Sequence, residues 1–243
     1  MRVDYSRRAR DYDSARADEA TDREFWLRGL VEIGRIQPGE RVLDLGAGTG
    51  RFASLLQGTN PAVALDPSWD MLTLAHAKGP FPCILGDAHQ LPFRRDSFDV
   101  TVIVMVLHHL ANFEDALREV ARIGHRVVIT TVDLAMRHPG ILEEAFPSLL
   151  SIDRGRFPKV EAIAAATKAA GFPQVRLETR VLHRTLTVDQ QLERVRRRYL
   201  STFDLLPPGE FERGVLVLEQ EMPRRFADRF EIESGFTFVA GSK

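Results

Sequence analysis

The chain has 243 residues, of which 44% are hydrophobic and 28% charged, with 33 Lys+Arg against 34 Asp+Glu. That supports a sizeable core, in one large domain or two small ones, and the even charge balance argues against a protein that grips nucleic acid chiefly through its phosphates. A single cysteine, Cys83, excludes an intramolecular disulfide and any Cys-x-x-Cys metal site. The most apolar stretch, residues 100–107, is far short of the ~20 residues of a membrane span. The charged N-terminus has no apolar stretch of the kind a secretory signal needs. The expectation is a soluble cytoplasmic protein.

In chain order, Phe25, Trp26, Leu30 and Ile33 recur at helical spacing within a polar first forty residues. A turn at Gln37-Pro38-Gly39-Glu40 leads to a short buried strand at 41–45, closed by Gly46-Ala47-Gly48-Thr49-Gly50. A helix at 52–57, a strand at 62–66 and a helix at 68–78 follow, with Pro67 and Ser68 at the start of the last. Residues 83–86 read as a third strand. Residues 99–107, apolar on both faces, suit a central strand covered by helices on each side. A helix at 113–123 and a strand at 126–132 complete the regular half. Beyond them the pattern predicts a helix at 162–170 ended by Gly171, a strand at 174–181 and a charged helix at 189–199. A terminal strand at 230–240, kinked at Gly235, closes the chain. Strands alternating with helices imply βαβ units with right-handed crossovers. Segments 137–158 and 185–229 read as insertions on one sheet.

A glycine turn directly after the first strand of such a sheet lets the backbone approach a ligand closely. The dinucleotide fingerprint is G-x-G-x-x-G, whereas here the third glycine, Gly50, falls one residue early and Arg51 stands in its place. There is no G-x-x-x-x-G-K-[ST] loop. The spacing therefore suits close contact but does not favour a pyrophosphate. Asp66 ends the second strand about 20 residues further on, where a carboxylate accepts from two ribose hydroxyls. Asp87 follows the third strand, where it can accept from the exocyclic amine of an adenine. Either Asp alone reads equally well as a helix N-cap. Three such groups at consecutive strand ends converge on one crevice.

The segment Val42-Leu43-Asp44-Leu45-Gly46-Ala47-Gly48-Thr49-Gly50-Arg51-Phe52 closely resembles the first motif of the class I S-adenosylmethionine-dependent methyltransferases of small-molecule type. Leu65-Asp66-Pro67-Ser68-Trp69-Asp70-Met71-Leu72, Gly86-Asp87-Ala88-His89-Gln90-Leu91-Pro92-Phe93 and the stretch from Asp96 to Leu110 resemble its later blocks, in order and at the right spacing. The likeness covers residues 1–132. It implies a Rossmann-like α/β fold with a seven-stranded, mostly parallel sheet in the order 3-2-1-4-5-7-6. Helical insertions would follow strands 5 and 6. One domain would span 1–243, with a helical lid at 1–38, a cofactor-binding core at 39–136 and acceptor-side insertions at 137–158 and 185–229. The resemblance also implies roles: Gly46, Ala47 and Gly48 against the methionine part of S-adenosylmethionine, Asp44 supporting the loop and Asp66 on the ribose. Met71 would lie on the adenine, Asp87 and Ala88 at its edge, with Pro67 and Val104 completing the lining. Ile123-Gly124-His125 departs from the family's Pro-Gly-Gly before the fifth strand.

Methyl transfer from a sulfonium is an in-line displacement that depends on alignment, and a hydroxyl nucleophile gains from a base. His108 and His109 follow the fourth strand at the edge where chemistry sits in such sheets. One as base or orienting group is weighed against capping and packing. Tyr12, in a segment that folds over the cofactor in similar proteins, is the other candidate. The remaining histidines, His89 among them, are scattered and show no metal-ligand spacing. Arg194-Val195-Arg196-Arg197-Arg198 reads first as a solvated helix face. The function expected is methyl transfer to a small molecule, by O-methylation first and N- or C-methylation next. The alternatives are a protein or cyclase that binds S-adenosylmethionine without transferring methyl, and, less favoured, a nicotinamide-dependent oxidoreductase. No nucleic acid, membrane or metal is expected as partner, and the oligomeric state is left open between monomer and homodimer.

Overall fold

A computed structural model describes residues 22–137 and 140–243. Seven strands form one sheet in the order β3-β2-β1-β4-β5-β7-β6. They are β1 (Val42–Leu45), β2 (Ala62–Asp66), β3 (Cys83–Leu85), β4 (Phe98–Val104), β5 (Gly124–Thr131), β6 (Gln174–Thr187) and β7 (Arg229–Ser242). The first five pair in parallel, and β7 runs antiparallel to both β5 and β6.

The two faces of the central strands are sorted by the period of two. Val100, Val102 and Val104 pack with Val42, Val128 and Phe238 against helix α1 (Arg23–Gly34) and Leu56 of α2 (Arg51–Leu56). Leu43, Leu45 and Ile103 point the other way. They meet Leu117 and Val120 of α4 (Phe113–Ile123) and Ile163 of α7 (Val160–Ala170). α3 (Trp69–His76) covers β2 through Leu72 and Ala75. Burial on both faces explains why β1 and β4 read as nearly continuous apolar runs. Within the segment read as a lid, residues 23–34 form α1, whose Trp26, Leu30 and Ile33 belong to this core.

Several boundaries differ from the reading of the sequence. β4 stops at Val104 because Met105 adopts φ 57, and a left-handed residue turns the chain out of the strand. A short 3-10 turn, Leu107–His109, follows. β6 extends to Thr187, and β7 passes through Gly235 without the expected kink, since Gly235 stays in register with Val181. α4 ends at Ile123 and β5 begins at Gly124, where a Cβ would stand 3.3 Å from the Phe98 carbonyl.

The insertions are more ordered than their sequences suggest. The first carries α5 (Ile141–Ala145) and α6 (Leu149–Arg156), and the second α8 (Val188–Arg196), a 3-10 turn (Ser201–Asp204) and α9 (Glu210–Arg225). They share an apolar cluster of their own: Ala145, Phe146 and Leu149 against Leu192, Val195, Phe203, Leu218 and Met222. Gly214 permits this closeness, since a Cβ there would fall 2.2 Å from the Phe146 ring.

Candidate functional site

At the carboxyl edge of β1 the chain turns into α2 through the glycine loop. Asp44 is wholly buried in β1, and its Oδ2 accepts from the Ala53 amide at 2.8 Å. Ala53 lies in the first turn of α2, whose N-cap, Gly50, has no side chain to offer. A strand carboxylate therefore does the capping. Burial pushes the Asp44 carboxyl up to about 7, against the lowering effect of the Ala53 bond and with a further raise from nearby Asp66. Gly46 and Ala47 donate their amides to the Leu65 carbonyl at 2.8 and 3.0 Å. Gly48 donates to Asp66 Oδ2 at 2.8 Å, and Asp66 Oδ1 accepts from the Ser68 amide at 2.9 Å. Burial raises the Asp66 carboxyl too, while these two backbone bonds lower it. Ser68, not Asp66, caps α3.

The two glycines at the mouth of the loop serve different ends. Gly46 (φ 73) is closed in: a Cβ would stand 2.5 Å from the Val106 side chain. Beside Gly48 (φ 54) a Cβ would meet nothing within 4 Å. The open space thus adjoins the Gly48–Asp66 pair. The amides of residues 46, 47, 48 and 50 all donate within the protein, and two carboxylates stand behind them. Such a loop is poorly suited to a phosphate and well suited to a cation.

Register brings the other residues to the same edge. Asp44 is level with Ala64 of β2 and Val102 of β4, and Asp66 is level with Leu85 of β3. Asp87 lies two residues past β3, exposed, and Ala88 beside it is buried. Asp87 Oδ1 accepts from the His89 amide at 2.9 Å and faces His89 Nδ1 at 2.7 Å. His89 Nε2 in turn lies 3.0 Å from the Asn112 carbonyl. His89 therefore ties the β3 loop to the start of α4, a role that its place among scattered histidines concealed. The G-D-A-H run was the available signal. Met71 is buried in α3 (2% exposed), Pro67 is exposed, and Val104 is the buried last residue of β4.

His108 and His109 lie in the turn after β4, their rings 3.9 Å apart. Two consecutive residues at the end of α6 hold them. Phe157 stacks on His108 (4.0 Å between centroids, 12° between planes), and Arg156 Nη2 approaches His109 Nδ1 at 3.4 Å. Arg156 also donates to Ser201 Oγ at 3.2 Å and Thr202 Oγ1 at 3.0 Å. Thr202 donates to the buried carboxylate of Asp153, which faces Arg137 as well. Burial raises the Asp153 carboxyl, opposed by the Thr202 bond and the two arginines. No spacing in the sequence announced Arg156 or Asp153. Tyr12 lies outside the described residues. Within the basic run, Arg196 and Arg197 are exposed and pair with Glu219 and Glu193. Arg194 departs from the solvated-face reading, for it is buried with its guanidinium 4.4 Å above the Tyr199 ring.

A family model described as a methyltransferase domain matches residues 43–126. The ubiquinone/menaquinone biosynthesis C-methyltransferase UbiE of Ectopseudomonas mendocina is 34% identical over 119 residues, covering 43% of this chain and 46% of that protein. A demethylmenaquinone methyltransferase of Mycolicibacterium vanbaalenii is 31% identical over 175 residues, covering 63% and 76%. Apart from the latter, the chain spans about half the length of the curated relatives it matches. Among solved structures, a putative methyltransferase from an antibiotic biosynthesis pathway of Anabaena variabilis shares the fold. Its TM-score is 0.74 at 20% identity, over 90% of this chain and 97% of that one.

Proposed function

The chain belongs to the class I S-adenosylmethionine-dependent methyltransferases, and from that premise we propose that it transfers a methyl group to a small aromatic molecule bearing a ring hydroxyl. The carrying observation is the loop whose amides are engaged internally and backed by Asp44 and Asp66. S-adenosylmethionine, when bound, supplies an electrophilic methyl group on a cationic sulfonium. The Asp66 carboxylate, which accepts from the Gly48 amide beside that residue's open face, favours a cation and disfavours the pyrophosphate of a nicotinamide cofactor. An ionised carboxylate has about four lone-pair sites, so Asp66 can accept from ribose hydroxyls while keeping its two backbone bonds. Asp87 and Ala88 would take the adenine edge. Ala47, Pro67, Met71 and Val104 would line the rest.

On the acceptor side, His108 and His109 would orient the substrate, and Tyr12 would close over the methionine end. The relatives named for quinone pathways support an aromatic acceptor, with carbon as the reacting atom. Calorimetry with S-adenosylhomocysteine and NADH tests the cofactor site. Micromolar or tighter binding of the former (about -8 kcal/mol) is expected, and tighter binding of NADH would sink the reading. Radiolabelled S-adenosylmethionine with a panel of hydroquinones and phenols tests the transfer. Binding without label in any product would make the chain a non-transferring binder.

A further inference from the structure

β6 ends the sheet: among the described residues no strand pairs with it on the side away from β7. Alternate amides and carbonyls of a 14-residue strand therefore face outwards. Edges of that length are usually blunted by Pro, by a bulge or by Lys. Residues 174–187 contain no Pro, Gly or Lys and stay in continuous register with β7. The strand's three arginines do not guard the edge either. Arg176 donates to the Ile33 carbonyl, Arg180 to Glu32 at 2.8 Å and Arg184 to Asp22 at 2.7 Å, so all three lie over the sheet face towards α1. The opposite face carries Val175, Leu177, Thr179 and Val181. Val175 packs against the core cluster that includes Ile163 of α7, whereas Leu177 and Val181 are 50% and 45% exposed. Thr179, between them, keeps its hydroxyl 2.9 Å from Thr237 Oγ1 of β7.

We propose that the β6 edge pairs antiparallel with β6 of a second copy of this chain, about a two-fold axis at Thr179, so that two seven-stranded sheets become one. The inference stands apart from the methyl-transfer reading. Residues opposite one another in an antiparallel pair share a face, so a two-fold axis normal to the sheet must pass through a residue. An axis at Thr179 sets Leu177 against Val181 of the second copy, twice over, and covers both exposed side chains. On the other face it sets Glu178 against Arg180 of the second copy, again twice. Arg180 already holds Glu178 of its own strand at 2.7 Å, so the four groups alternate in sign. No like charges meet, since Arg176 falls opposite Leu182, His183 opposite Val175 and Arg184 opposite Gln174. An axis at Glu178 or Arg180 would set like charges directly opposite, which is destabilising. An axis at Leu177 or Val181 would leave the other of the two facing Pro173 or Thr185. Charge and apolar pattern together select the second copy as occupant and Thr179 as register.

Sedimentation velocity of the full chain, from about 1 to about 100 μM, reads the assembly. The wild type should approach twice the mass of one chain, and a monomer throughout overturns the proposal. Leu177→Lys changes an exposed side chain and should weaken the dimer at least about tenfold; an unchanged dimer refutes this interface. Glu178→Lys and Arg180→Glu each set like charges across the axis. Each should be monomeric alone, and an equimolar mixture should recover the dimer, because every opposed pair is then of opposite sign. Folded variants that fail to pair on mixing refute the register. Arg180→Glu also gives up the bond to Glu32, so a further arm does without it. In a Cys83→Ser background, Thr179→Cys places thiols on the axis with Cα atoms about 4.5–5.5 Å apart, inside the range a disulfide spans. Mild oxidation should link two chains there and should not link them through Thr185→Cys. No link at Thr179→Cys, or equal linking at both positions, overturns the proposal.

Discussion

Around the glycine loop, polar partners are near in sequence or on the adjoining strand: Ala53 is nine residues from Asp44, and Gly48 eighteen from Asp66. Around Arg156 the hydrogen-bond partners are 45, 46 and 47 residues away, in the turn after β4 and in the second insertion. The proposed cofactor side stands on core strands buried on both faces. The proposed acceptor side stands on two insertions with an apolar cluster of their own. One side can therefore keep its geometry while the other changes, which is how one scaffold serves many acceptors. The separation also implies that damage on one side should leave the other readable.

The largest effect is expected on the acceptor side. Asp153→Ala removes a buried carboxylate facing two arginines and Thr202, and should cost about 3–5 kcal/mol in urea unfolding. Affinity for S-adenosylhomocysteine should stay nearly unchanged in the folded fraction; a joint loss of both would contradict the separation. Next comes Gly46→Ala, which sets a Cβ against Val106 at positive φ. About 2–4 kcal/mol of stability should go, and cofactor affinity with it. Asp66→Ala should weaken S-adenosylhomocysteine binding by ~1–3 kcal/mol in calorimetry, with little change at the acceptor side.

A further distinction concerns pH. The Asp44 carboxyl titrates in the folded protein at about 7 against an ordinary 3.8, so between those values the folded state holds a proton that the unfolded state has released. Its contribution to stability is present in full below 3.8 and is lost as the pH rises through about 7. Unfolding free energies should therefore fall by roughly 1.4 kcal/mol per pH unit across that window relative to Asp44→Asn. Parallel profiles for the two proteins would refute the assignment. The smallest effect belongs to Arg196→Ala, whose exposed pair with Glu219 should contribute under ~1 kcal/mol. A cost comparable to that of Asp153→Ala would show that the basic run, and not the buried network, organises the acceptor side.

The sequence by itself carried the sheet and the loop and carboxylates at its carboxyl edge. Local signals sufficed there: apolar runs for strands buried on both faces, positive-φ glycines after β1, a carboxylate at the end of β2 and another after β3. Each signal spans a few residues, and the motifs' resemblance to a known family supplied the strand order. Only tertiary structure decided where β4 ends. Met105 has no propensity for the left-handed region and takes it where the chain must turn over the sheet edge. Packing likewise made α9 a helix despite Gly214 and Pro223, because Phe146, from a segment far away in sequence, needs the space that Gly214 leaves. The partners of His109 were illegible for the same reason. A hydrogen bond between residues 47 apart depends on how the first insertion folds back onto the turn after β4, and nothing in the local pattern of either records that meeting.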